Sequence, residues 1–462
     1  MDNNKELREK LLIKKKNGGR LLSEEEIQKA EKFSEGYKIF LDEGKTEREA
    51  VFYAVEEAKK KGFEEFDKNK SYKPGDKIYS VNKEKSLILA VIGKNGVKNG
   101  VSMAIAHVDS PRIDLKPRPL YEDSEMALFK THYYGGIKKY QWTAMPLAMH
   151  GKVVRADGTQ VDIKLGEKLD EQCFCITDLL PHLAGEQMRK VMSKAITGEN
   201  LNVVAGSIPL REDNESDSVK LNIMKLINEK YDITEEDFVS AEIELVPAYK
   251  AQDIGFDRSL IGAYGHDDRS CAYPCLEAIM DTEVSDNTVV TVLVDKEEIG
   301  SEGNTGMKSL FLKYFIADLA EREGLKGRDV LRKSKCLSAD VNAAFDPTYS
   351  GEYEAANSCY VNRGAVITKY TGSGGKSGTS DASAEFMGEV RSKLNKENVL
   401  WQTGQLGKVD AGGGGTIAKY VANLCVDVVD VGIPVLSMHS PFEIVSKIDV
   451  YMLYRAVLAF FK

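Results

Sequence analysis

Histidine is scarce in this chain. Only six occur in 462 residues, at His107, His132, His150, His182, His266 and His439, so any imidazole-based site has few candidates. No run of about eighteen apolar residues is present, which excludes a hydrophobic membrane-spanning helix. There is no basic surplus either. The net charge of −9 leaves nothing to neutralise phosphates in bulk, so neither nucleic acid nor an anionic membrane is an expected partner. The first residues, Met1 to Arg8, lack the apolar core of a signal peptide, and a cytoplasmic location is expected. The seven cysteines (Cys173, Cys175, Cys271, Cys275, Cys336, Cys359 and Cys425) are odd in number and scattered. None forms a CxxC or zinc-finger spacing, which fits a reducing compartment and excludes a disulfide framework. Cys271 and Cys275 lie four apart in an expected helix and read as small buried apolar residues.

What is present is ordinary globular composition, 42% hydrophobic and 29% charged, in a chain long enough for two or three domains. Ser23 with Glu26, and Thr46 with Glu49, are capping boxes, each followed by apolar residues at helical spacing. Strand-like runs follow at 86–92 and 101–106. From 111 to 246 short alternating strands dominate, such as 161–165, and this stretch reads as an inserted β-rich domain. From 247 to 462 strands and helices alternate, with strands expected at 289–295, 336–340, 399–402 and 426–438 and helices between them. Strict alternation predicts an α/β fold, a mostly parallel sheet with helices on both faces. Residues 1–110 and 247–462 are then one discontinuous domain.

The chemistry gathers at the ends of these runs. The apolar strand Val289 to Val294 stops at Asp295-Lys296-Glu297-Glu298, and ligands in open α/β sheets bind outside such carboxyl ends. Four further segments share this placement: His107-Val108-Asp109-Ser110-Pro111, His266-Asp267-Asp268, Ser338-Ala339-Asp340 and Met438-His439-Ser440-Pro441. Each alone has a bland alternative. Adjacent Glu residues are commonly solvated, Asp268 can cap the helix behind it, and Asp340 can start a turn with Asn342. Together they place two His and several carboxylates where one sheet brings them close. A donor set of nitrogen and oxygen without Cys suits Zn²⁺, Mn²⁺ or Co²⁺.

In these five motifs, in this order and over nearly the whole length, the chain resembles the aspartyl aminopeptidase-type metallopeptidases, in particular bacterial members. The resemblance implies a zinc-peptidase-like catalytic domain on 1–110 and 247–462 and a β-rich dimerisation domain on 111–246. It implies subunit pairs assembling into a tetrahedral dodecamer, and a peptide as substrate. It also implies two divalent metal ions per subunit, zinc first, with cobalt and manganese as alternatives. Asp267 then bridges the two metals, His107 and Asp340 complete one site, and Glu298 and His439 complete the other. Glu297 is the general base acting on a water between the metals, and Asp109 fixes the His107 imidazole behind it. The peptide Asp267–Asp268 is expected in cis. His266 is a neighbour without a ligand role, and His132, His150 and His182 have structural roles.

Two features are softer. Gly412 to Gly415 precede a helical pattern and are read either as an anion-holding loop or as a tight turn. Lys369 lies where the resemblance places a basic residue facing the substrate side chain; an edge-strand lysine is the alternative. Tyr134-Gly135-Gly136 and Trp142 match the start of the family's insert, but Thr143 to Leu147 replace an acidic-basic-acidic run typical of eukaryotic members. A preference for acidic N-terminal residues is therefore open. The other functional readings are a related metallohydrolase acting on N-acyl amino acids and an inactive assembly scaffold.

Overall fold

The computed structural model describes residues 2–13 and 17–462. Both capping boxes form. Ser23 and Glu26 start the helix Glu24–Glu43, and Thr46 and Glu49 start Glu47–Lys60, each satisfying backbone N–H groups that a helix start leaves unpaired.

A nine-stranded sheet carries the fold. At its centre Val289–Val294, Ser102–His107, Lys335–Ser338 and Asp427–Gly432 lie side by side and parallel. These are the near-continuous apolar runs of the sequence, buried on both faces, as parallel strands between two helix layers must be. Toward the edges the sheet is mixed: Ser86–Val91 joins Val289–Val294 antiparallel, and Ala365–Thr368 joins Asp427–Gly432 antiparallel. Successive side chains point to opposite cores. Leu87, Leu89 and Val91 meet the helices Glu24–Glu43, Glu47–Lys60, His266–Met280 and Lys447–Phe461, while Ile88 and Ala90 meet Phe311–Arg322 and Ala418–Ala422. Because the four central strands run one way, residues 107, 295, 339 and 433 emerge at the same sheet end.

The expected strand 426–438 is broken in two, and the break matters for the site. Asp427–Gly432 stays in the central sheet, whereas Pro434–Leu436 enters a separate five-stranded sheet. Pro434 has no N–H for a central ladder. Gly432 passes so close to the neighbouring chain that a Cβ there would lie 1.7 Å from the Asp340 carbonyl oxygen. The second sheet pairs Leu260–Ala263 with Glu443–Ser446 and thereby aligns the segments carrying Asp267 and His439.

Strands between Arg112 and Pro247 form their own six-stranded sheet around a separate apolar core that includes Trp142, Phe129 and Leu245. Its strand Met126–Tyr134 ends beside the metal-ligand motifs. Among the described residues no helix is long and apolar enough to cross a membrane.

Candidate metal centre

Four of the five motif segments line one cavity of about 450 Å³, through Asp267, Glu297, Glu298, Asp340 and His439, and His107 of the fifth packs against Asp267. Asp267 is central. Its Oδ1 lies 3.2 Å from His107 Nε2 and its Oδ2 lies 3.2 Å from His439 Nε2, so one buried carboxylate faces both imidazoles. Asp340 Oδ1 is 3.9 Å from His107 Nε2, and Glu298 Oε1 is 3.5 Å from His439 Nε2. Ligand atoms of His107, Asp267 and Glu298 fall within 4.8 Å of one another, and so do those of His107, Asp268 and Asp340. The peptide Asp267–Asp268 is cis.

Both imidazoles present the same nitrogen to the centre. His107 Nδ1 donates to Asp109, 3.0 Å from its carbonyl oxygen and 3.2 Å from Oδ1. His439 Nδ1 donates to the Gly136 carbonyl at 2.8 Å. With the Nδ1 proton fixed on each ring, each Nε2 keeps a lone pair for a cation. Glu298 Oε1 and Asp268 Oδ1 are buried and accept no hydrogen bond among the described residues. A buried anionic oxygen without a partner is costly, and a divalent ion would supply what both lack. The donors present therefore fit zinc: His107 with Asp267 and Glu298, and His107 with Asp268 and Asp340, lie within reach of one ion each, and His439 Nε2 faces Asp267 and Glu298.

Two carboxylates staple the backbone around this centre. Asp109 accepts the N–H of Glu297 through Oδ1 at 3.1 Å and that of Glu298 through Oδ2 at 3.2 Å. Glu443 accepts the N–H of Asp267 at 3.0 Å and that of His439 at 2.7 Å. His439 has φ +63°, which L residues adopt reluctantly, and the Glu443 contact holds it there. Asp109 is steadied in turn by the Tyr134 hydroxyl, which donates to Oδ2 at 2.8 Å. Tyr134 and Gly136 both belong to the segment that closes the six-stranded sheet's strand, so that sheet braces the site from two sides. Tyr134→Phe is expected to weaken zinc binding or activity roughly 10- to 100-fold, the usual consequence of losing a group behind a ligand. Zinc titration of the folded variant checks this, and unchanged affinity and turnover would contradict it.

Sequence reasoning missed several of these residues. Glu443 follows His439 by four positions and Asp268 follows Asp267 directly, so proximity in the chain was the available signal. Asp267 and Asp268 are non-helical and precede the regular helix, and Asp268 Oδ2 accepts the His107 N–H at 3.3 Å. Gly136 had no chemical signal, since only its carbonyl acts. His266 stays outside the ligand groups, bonded to the Tyr37 hydroxyl at 2.6 Å and the Ile261 carbonyl at 3.0 Å, and burial pulls its pKa down to about 3. His150 packs against Glu49 instead, Nδ1 to Oε1 at 3.0 Å. Lys369 does not line the cavity and pairs with Asp381 at 2.5 Å. Gly413, Gly414 and Gly415 do line it, with Gly413–Gly414 paired to Gly372–Ser373.

Crowding of carboxylates shapes the titration. Burial pushes Glu297 up from 4.5 to about 7, helped by the charges of Asp267 and Asp109. Burial likewise lifts Glu443 to about 8 and holds Glu298 and Asp340 well above the carboxylate range. Burial alone would raise Asp267 too, but hydrogen bonds from both imidazoles outweigh it and its pKa is lowered. For His439 burial opposes charge, yet Asp267 and Glu298 raise it from 6.5 to about 10. Glu297, Glu443 and His439 thus hold protons more tightly folded than unfolded. Their stabilisation is fully present below their unfolded pKa values and is lost as pH rises through about 7, 8 and 10. Metal-free protein should therefore melt progressively lower between pH 5 and pH 9. Zinc would replace the His439 proton, and its charge would lower the pKa values of Glu297 and Glu443, so it should reduce the slope, as melting curves with and without chelator would reveal.

A family model described as aminopeptidase I zinc metalloprotease (M18) matches residues 40–461. The chain belongs to the M18 family. A probable M18 family aminopeptidase 1 of Clostridium acetobutylicum is 48% identical over 458 residues, covering 97% of this chain and 98% of that protein. The crystal structure of an M18 aminopeptidase from Thermotoga maritima superposes with a TM-score of 0.93 at 43% identity, over 97% of this chain and 99% of that one. The S. cerevisiae mApe1 dodecamer shares the fold at a TM-score of 0.74 and 20% identity, over 92% of this chain and 95% of that one. This M18 member is accordingly a metal-dependent aminopeptidase with a zinc-peptidase fold, as the motifs imply.

Proposed function

We propose that this M18 aminopeptidase removes the N-terminal residue of peptides with two divalent ions per subunit, zinc first. The observation that carries this reading is Asp267, whose two oxygens each face a different imidazole Nε2 at 3.2 Å. His107 and Asp340 would hold one ion, Glu298 and His439 the other, with Asp267 between them. When bound, two such ions lower the pKa of water and stabilise negative charge developing on the scissile carbonyl. The chain's own residues do the rest. Glu297, in the cavity wall but outside both groups of metal-binding side chains, takes the proton of the attacking water and passes it to the leaving amine. Asp109 keeps both glutamates in register through their N–H groups. The cavity of about 450 Å³ admits the end of a peptide rather than a folded chain.

Acidic N-terminal residues are the proposed preference, since the cavity wall also carries a lysine. Zinc-loaded enzyme would be offered aminoacyl-anilides, glutamyl and leucyl among them, beside N-acetyl amino acids. Cleavage of anilides is the expected result, and turnover of the acetylated set alone would favour the N-acyl reading. The six-stranded sheet of 111–246 is proposed as the subunit-pairing unit. Leu179, Leu180, Leu183, Met188, Val191 and Met192 beside it are exposed and apolar, which favours a covered face. Assembly of pairs into a dodecamer is likewise proposed, and light scattering that gives a monomer would contradict it.

A further inference from the structure

The cavity that holds the metal ligands is strongly acidic at one end, with Asp267, Glu297, Glu298 and Asp340 in its wall. Elsewhere in the same wall stands Lys419, the one Lys or Arg side chain lining it among the described residues. Its ammonium makes no ion pair among the described residues; its neighbour is the Tyr420 ring, with Nζ 5.0 Å from the ring centre. The other basic residues nearby are engaged. Lys369 and Lys376 both pair with Asp381, and Lys308 pairs with Glu302.

The surrounding structure makes room for this ammonium and fixes it relative to the reacting end. Gly415 lies beside the ammonium, a Cβ there being 2.9 Å from Lys419 Nζ. Gly413 could carry no side chain, since its Cβ would fall 2.7 Å from the Gly372 carbonyl oxygen and from Ser373. The Tyr420 hydroxyl donates to the Gly300 carbonyl at 3.3 Å, which ties Lys419 to the turn carrying Glu297 and Glu298. Thr416 anchors the other side, its hydroxyl donating to Asp430 Oδ1 at 2.8 Å. The result is a half-buried cation with no counter-ion among the described residues, facing the same space as Glu297.

We infer that Lys419, rather than Lys369, is the residue that recognises a substrate carboxylate, an inference that rests on the aminopeptidase reading above. An ammonium in a concave, partly dry wall gains more from a carboxylate than an exposed one does, because the bond is charge-assisted and poorly screened. A peptide offers that group from two sources: the side chain of an acidic N-terminal residue, or the terminal α-carboxylate of a dipeptide.

The zinc-loaded enzyme and its Lys419→Met and Lys419→Arg variants separate these. Glutamyl-p-nitroanilide against leucyl-p-nitroanilide tests the side-chain source, because neither has a terminal carboxylate. Leucyl-glycine against leucyl-glycinamide tests the α-carboxylate. In Lys419→Met the kcat/KM ratio of one charged-to-uncharged pair is expected to fall roughly 10- to 100-fold, the scale of a charge-assisted hydrogen bond. Lys419→Arg should restore most of it. The pair that responds names the source, and a response in either supports the inference. Both ratios staying within about twofold of wild type in Lys419→Met would overturn the assignment of Lys419 while leaving aminopeptidase activity intact. A wild type that cleaves none of the four would instead sink the aminopeptidase reading and this inference with it.

Discussion

Glu297→Gln is expected to lower kcat roughly a hundred- to ten-thousand-fold, the range of a lost general base, while zinc content and fold persist. Glutamine keeps the shape of the side chain and loses only its ability to accept a proton. Glu297 lines the cavity but belongs to neither group of side chains within metal-binding range, so its replacement removes no ligand. Its backbone N–H, which Asp109 accepts at 3.1 Å, is untouched by the substitution. In the metal-free site burial and the neighbouring carboxylates push its pKa up to about 7. The measurement is single-turnover cleavage of an aminoacyl-anilide beside metal analysis of the same sample. Activity within tenfold of wild type, or zinc lost together with activity, would remove Glu297 from the role of base.

Asp267→Asn is expected to be worse, because it acts on both halves of the site at once. Each oxygen of Asp267 faces one imidazole, and an amide offers a single weak acceptor while turning its NH₂ toward the other Nε2. The loss in zinc affinity should exceed the roughly 10- to 100-fold typical of groups one layer behind the ligands. Zinc titration by calorimetry and metal analysis after dialysis report this directly. The variant also lowers the pKa of His439, which Asp267 and Glu298 raise to about 10, so a proton titration of the metal-free variant gives an independent reading. A variant that keeps wild-type zinc affinity would rule out Asp267 as the shared ligand.

Much of the architecture is legible in the sequence because its signals are local. The capping boxes at Ser23 and Thr46 act over three residues and form as read. The strands ending at His107, Val294 and Ser338 are mostly apolar and almost wholly buried, as strands covered on both faces must be. The strand expected over 426–438 is read too long, because Pro434 and the close pass of Gly432 by Asp340 redirect it into a second sheet. Nothing in the pattern of hydrophobicity marks that crossing, which depends on a neighbouring segment ninety positions away in the chain.

Sequence by itself places two His and several carboxylates at the ends of strand-like runs and, by likeness of motifs, points to the family. Adjacent glutamates cannot be told apart by spacing; in three dimensions Glu298 reaches His107 and Asp267 while Glu297 does not. Tertiary structure alone brings Gly136 to His439, 303 positions apart, and Glu443 to Asp267, 176 apart. It alone turns Lys369 to Asp381 and leaves Lys419 in the cavity. The division has one physical reason. Propensity and capping act within a few residues, whereas the protonation and reach of a site residue depend on partners that only packing brings close.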